Sequence, residues 1–178
     1  MSIRDLAAFA SVFCALGAQA QDEPLPDEVA RKIAGAVDGY ITAMGCQHAE
    51  VTVKDIAALA PRATEAATTD YAVIWDGDIG CQGHAGSVSS NIAVVAPGAG
   101  GTFVVVAARS SPHVAFPLPL AYEHQIVGHT PDAFTLEGVF LGSADALCCP
   151  SDRRRYTLAR AEHGDWKIVS LRELESKR

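Results

Sequence analysis

The chemistry this chain could carry lies mostly in its five cysteines and six histidines. Cys46-x-His48 and Cys81-x-x-His84 each place a thiol near an imidazole, and Cys148-Cys149 adds two adjacent thiols. Such ligands suit zinc or copper, although the spacing is not the paired CxxC of a zinc ribbon. Cys81 with His84, inside the Gly-rich stretch GCQGHAGS, could also act as a nucleophile and base with backbone donors for an oxyanion. An oxidising compartment turns the same thiols into disulfides instead. Cys46, Cys81, Cys148 and Cys149 form an even set with three possible connectivities. A bond between neighbours is disfavoured, because adjacent Cα atoms stand about 3.8 Å apart where disulfides usually need about 4.4–6.8 Å. The expectation is one bond from each of Cys46 and Cys81 to the Cys148-Cys149 pair. A metal site built from Cys46, His48, Cys81 and His84 is the alternative, and a small thiol enzyme centred on Cys81 and His84 is a third reading.

Other chemistry has little support. The sequence holds no GxSxG, no HExxH and no GxxxxGK[ST]. The Gly98–Gly101 cluster lacks the following helix of a phosphate site, and Asp76-Gly77-Asp78 reads as a turn rather than a calcium loop. His113, His124, His129 and His163 are scattered and read as surface or hydrogen-bonded histidines rather than catalytic bases. No catalytic residue and no cofactor are expected. The net charge of −7 argues against nucleic acid as a partner, since that role calls for a basic face. Arg153-Arg154-Arg155 is the basic cluster, and it is expected as the solvated part of a strand, with contact to an anionic partner as the alternative.

The elements that must position these residues begin after an export signal. Met1-Ser2-Ile3-Arg4 brings one cation, Leu6 to Gly17 is uncharged and largely apolar, and Ala18-Gln19-Ala20 fits signal peptidase. Residues 1–20 are therefore expected to leave, and 21–178 to form a single globular domain in the periplasm or outside the cell. No segment is long and apolar enough to anchor in a membrane, which takes about 20 apolar residues.

Asp27 to Met44 reads as an amphipathic helix. Val29, Ile33, Val37, Tyr40, Ile41 and Met44 recur at three- and four-residue spacing, Asp27 is a candidate N-cap, and Gly45 can end it. Val51–Val53 alternates, Lys54–Ala60 is ambiguous, and Pro61–Thr69 is loop-like. Tyr71–Trp75 reads as a buried strand stopped at Asp76. Ile92–Ala96 and Thr102–Ala108 make a hairpin over Pro97–Gly101, and Phe116–Leu120 is an extended connector. Glu123–Gly128 with Phe134–Leu141, and Tyr156–Ala161 with Trp166–Leu171, supply the last two pairs of strands. The class expected is α+β: one N-terminal amphipathic helix packed on a curved, mostly antiparallel sheet of seven to eight strands.

Cys148-Cys149-Pro150-Ser151, followed by Arg155-Tyr156 and a Gly-Asp-Trp turn, resembles the C-terminal CCPS motif of LppP/LprE-type exported bacterial proteins. The resemblance covers about the last thirty residues and implies an envelope-associated protein, without a transferable activity. Asp70-Tyr71-Ala72-Val73 through Cys81-Gln82-Gly83 is similar to a segment common in exported bacterial proteins. There an Asp/Asn/Gly-rich loop precedes the Asp-Tyr; here Ala63 to Thr69 replaces it, so no calcium site is implied. The function expected is a non-catalytic, disulfide-stabilised module that binds another envelope protein or a small ligand. N-terminal sequencing of the envelope fraction should begin at Gln21; recovery of a chain with Met1 intact in the cytosol would contradict export.

Overall fold

The computed structural model describes residues 25–44, 50–59, 69–83, 88–162 and 164–175. The helix α1 spans Asp27–Ala43. The spacing of its apolar residues sets which face is buried: Ala30, Ile33, Val37 and Ile41 are buried, and Val29, Tyr40 and Met44 pack beside them. The cap differs from expectation. Pro26, not Asp27, occupies the N-cap position and makes no side-chain capping bond. Asp27 and Glu28 lie in the first turn, where negative charge complements the helix dipole.

Among the described residues eight strands follow, in two antiparallel four-stranded sheets rather than the single sheet expected. The first sheet holds β1 (Ile56–Leu59), β2 (Asp70–Asp78), β3 (Val88–Pro97) and β4 (Phe103–Val105), paired in that order. The second holds β5 (Glu123–Thr130), β6 (Ala133–Phe140), β7 (Asp152–Arg160) and β8 (Trp166–Glu173). The division has a visible cause. Between β4 and β5 the chain crosses Pro112, Pro117 and Pro119, which lack the N–H a ladder requires. Ser110 and Ser111 complete the edge of β3 there: Val94 N donates to Ser110 Oγ at 2.8 Å, and Ser111 N donates to Ile92 O at 2.9 Å.

The first sheet is the middle layer. Tyr71, Val73, Trp75, Ala93 and Val95 share a core with α1. The alternate residues Ala72, Ile74, Ile92 and Val94 share a second core with Phe134, Leu136, Phe140, Tyr156, Leu158 and Trp166 of the second sheet. Sequence alternation therefore puts apolar side chains on both faces of β2 and β3.

Three local readings change. Asp76-Gly77-Asp78 is not a turn but the last three residues of β2, paired with Val88–Ser90; the chain reverses at Ile79 and Gly80. Val53 sits in a 3-10 turn, Val53–Asp55, and the ambiguous Ala-rich stretch that follows becomes β1. The β3–β4 hairpin forms as expected, with Gly100 and Gly101 at φ 68° and 73°, a backbone that favours glycine. Among the described residues no helix is long and apolar enough to cross a membrane.

Ile33 is fully buried between α1 and the first sheet. Ile33→Asp would bury an unpaired charge there and should destabilise by roughly 3–5 kcal/mol in urea unfolding. A change within about 0.5 kcal/mol would mean that this helix face is open to solvent.

Candidate functional site

The densest polar cluster lies where the two sheets meet, beside β1 and β5. The signature Thr52-x-x-Asp55 forms a capping box that fixes Asp55: Thr52 N and Thr52 Oγ1 donate to Asp55 Oδ2 at 2.8 and 2.7 Å. On the other side, β2 carries Asp76, whose Oδ1 accepts from Ser90 Oγ on β3 at 2.7 Å. Between them, β5 delivers His124. Its Nε2 is 3.0 Å from Asp55 Oδ1, and its Nδ1 is 3.7 Å from Asp76 Oδ2. The side chains of Asp55, His124 and Asp76 are only 6%, 10% and 14% exposed.

The titration of each group follows from this geometry. Burial by itself pushes His124 down, but the close contact with Asp55 and the charges of Asp76 and Asp55 outweigh it, with Lys54 opposing. The imidazole is therefore more basic than usual. Burial pushes Asp55 up, and the contact with His124 and the bonds from Thr52 overcome that and hold it below the ordinary carboxylate range. Asp76 is shifted up by burial and by the nearby charge of Asp55, against the pull of Ser90 and His124.

A serine, a histidine and two aspartates invite comparison with a nucleophilic relay. The bonding does not match one. Ser90 Oγ donates to Asp76 rather than to His124, accepts from Ala121 N at 3.2 Å, and belongs to a buried residue. Both imidazole nitrogens face carboxylates, so no lone pair is directed at a hydroxyl. The cluster acts as a clamp: β5 is tied to the 3-10 turn before β1 and to the end of β2. Gly138 stands opposite His124 on β6, where a Cβ would come within 3.0 Å of Glu123 O and of the Phe140 ring. The close approach leaves that position to glycine.

The residues singled out by sequence are dispersed differently. Cys46, His48, His84 and His163 lie outside the described residues. Cys81 follows β2 at φ 55°, and its thiol donates to Met44 O at 3.4 Å. No two of the described sulfurs, Cys81, Cys148 and Cys149, are joined in a disulfide. Among the described residues, no group of three or more His, Cys, Asp or Glu side chains could hold a metal ion. His113 is exposed, and it lines an open cleft with Tyr40 and Pro112. Arg109 and Arg160 border another open cleft of about 610 Å³, but each is paired with a carboxylate, Asp70 at 2.7 Å and Asp132 at 3.2 Å. Sequence reasoning missed Asp55 and Asp76 as partners of His124. One signal was available, the Thr52–Asp55 capping box; the meeting of three distant segments was not.

The two shifts define a pH window. His124 is raised, so its contribution to stability is complete below the unfolded value of about 6.5 and fades as pH rises through the folded one. Asp55 is lowered, so its contribution is present above its ordinary value of about 4 and fades as pH falls through the folded one. Asp76 is raised and opposes the clamp as it ionises. His124→Gln should therefore cost most between about pH 4 and 6.5, roughly 3–5 kcal/mol for a broken buried pair, and less at higher pH. Urea unfolding of both proteins across that range checks this; a difference that stays flat up to pH 9 would contradict it.

Comparison with known proteins returns no match: no family model, no curated protein and no solved structure resembles the chain. Its function is read from its own residues.

Proposed function

We propose that this chain is an exported, non-catalytic binding module, and that it binds an extended acidic segment of another envelope protein along β8. One observation carries the reading: β8 is a terminal strand of the second sheet with seven of its eight residues exposed, Ile168, Val169 and Leu171 among them. Such an edge offers main-chain donors and acceptors together with apolar side chains, which is the setting for strand addition. The opposite edge of that sheet, β5, runs beside β1 and its preceding turn.

Charge favours an acidic partner. Eight of the fourteen Lys and Arg residues fall within 152–178, against five of the twenty-one Asp and Glu residues. The register places Arg153 and Arg155 of β7 and Lys167 and Arg172 of β8 on the outer face of the sheet, opposite the core side chains Tyr156, Leu158 and Trp166. Arg155 is paired there with Glu137 of β6. The rest of the chain is strongly acidic, so a partner that is itself acidic is steered toward this hairpin. The bulge at Val169 and the flanking Lys167 and Arg172 restrict which strands can add. Export, the periplasmic or secreted location and the disulfides belong to the same reading. They rest on the Ala18-Gln19-Ala20 signal and on the four cysteines that remain when residues 1–20, with Cys14, are removed.

The metal-binding alternative keeps Cys46, His48, Cys81 and His84 as its ligands. Metal analysis of the natively purified protein decides it, because bound zinc or copper with reduced thiols would displace the binding-module reading.

The probe for strand addition is a fluorescent peptide of alternating Glu and Val, followed by anisotropy. Binding should weaken as salt rises and drop at least about tenfold for the double variant Val169→Glu, Leu171→Glu. Both positions are exposed, so the fold should change in stability by no more than about 0.5 kcal/mol. Equal binding by the variant would overturn the assignment of β8.

A further inference from the structure

The segment joining β6 to β7 is built around one carboxylate. Asp145 accepts from Gly142 N at 2.8 Å, from Ser151 N at 2.7 Å and from Ser151 Oγ at 2.8 Å, which closes the loop at both ends. Within it Cys149 N donates to Ala146 O at 2.9 Å, and Pro150 fixes the exit. Cys148 and Cys149 are both exposed and outside any disulfide. The neighbouring Cys148 thiol, with the Asp145 charge nearby, pushes the Cys149 thiol up. Two thiols on adjacent residues, in solvent, on a loop whose ends are pinned, form a dithiol that neither the His124 clamp nor the β8 edge uses.

We propose that Cys148 and Cys149 are a reversible redox site that exchanges with an external disulfide and closes a bond between the two neighbouring residues. Cys148 loses its proton and attacks one sulfur of the external disulfide. The external S–S bond breaks, a Cys148 mixed disulfide forms, and the first external thiolate takes up a proton. Cys149, which holds its proton more tightly, then attacks the Cys148 sulfur. The mixed disulfide breaks, the Cys148–Cys149 bond forms, and the second external thiolate takes the proton that Cys149 gives up. Two protein thiols are oxidised by two electrons and one external disulfide is reduced to two thiols. Adjacent Cα atoms about 3.8 Å apart are closer than the usual disulfide span of about 4.4–6.8 Å, so the product is strained and returns readily to the dithiol. The structural bonds of an exported protein, by contrast, resist reduction by glutathione. The Asp145 clamp limits how far the backbone moves as the ring opens and closes. This proposal is independent of the β8 reading, and it replaces the bonds expected from Cys46 and Cys81 to this pair.

The test uses the full exported chain in buffers ranging from reduced to oxidised glutathione. Alkylation with iodoacetamide, digestion and mass spectrometry then follow the fragment that contains both residues. In reduced buffer it should carry two alkyl groups. In oxidised buffer both sites should be lost and the fragment should be two hydrogens lighter, and added reductant should reverse this. Cys149→Ser should abolish the interconversion and leave glutathione attached to Cys148. The proposal is overturned if both thiols remain alkylated in fully oxidised buffer, or if either is found bonded to Cys46 or Cys81.

Discussion

The rest of the molecule depends on one constraint: β2 and β3 carry apolar side chains on both faces and must be covered twice. Tyr71, Val73 and Trp75 require the helix, while Ala72, Ile74, Ile92 and Val94 require a second sheet. A strand pair of this kind is stable only as a middle layer. The order helix, first sheet, second sheet follows from it. So does the proline-rich connector that carries the chain from β4 across to β5.

The same constraint produces the polar cluster. Where β5 crosses near the end of β2, Asp76 is taken out of water along with the apolar residues before it. A buried carboxylate needs a partner, and a buried histidine needs more than one acceptor to hold a charge. Asp55, His124, Asp76 and Ser90 meet those needs for one another. The interior chemistry therefore serves cohesion. The surface is free to be specialised instead, with an acidic body, a basic β7–β8 hairpin and an exposed dithiol loop that leads directly into β7.

How much of this could be read from residues alone follows the range of the interactions. The helix was legible because its period is local: Ile33, Val37 and Ile41 face the core as their spacing requires. The glycines over the β3–β4 hairpin were legible for the same reason. β1 was ambiguous because Ala57 and Ala58 suit a helix as well as a strand, and pairing with Ala72 and Tyr71 decides it. Asp76-Gly77-Asp78 looked like a turn because its composition is that of one, yet ladder pairing with β3 carries the strand through it. The division into two sheets depends on what covers the far face of β2, and nothing within Tyr71–Trp75 says what that is. The clamp is less legible still. Asp55, Asp76 and His124 lie on three segments, and only the packing of the layers brings them together.

The central claim is that His124 is held as a cation between two buried carboxylates and joins the sheets rather than acting as a base. Nitrogen NMR of the histidine side chains in the labelled full chain observes that state directly. The account predicts that both His124 nitrogens carry protons at pH 6.5, with a titration midpoint above the ordinary histidine value of about 6.5. A neutral imidazole at that pH, with one nitrogen unprotonated and available to a hydroxyl, would contradict it.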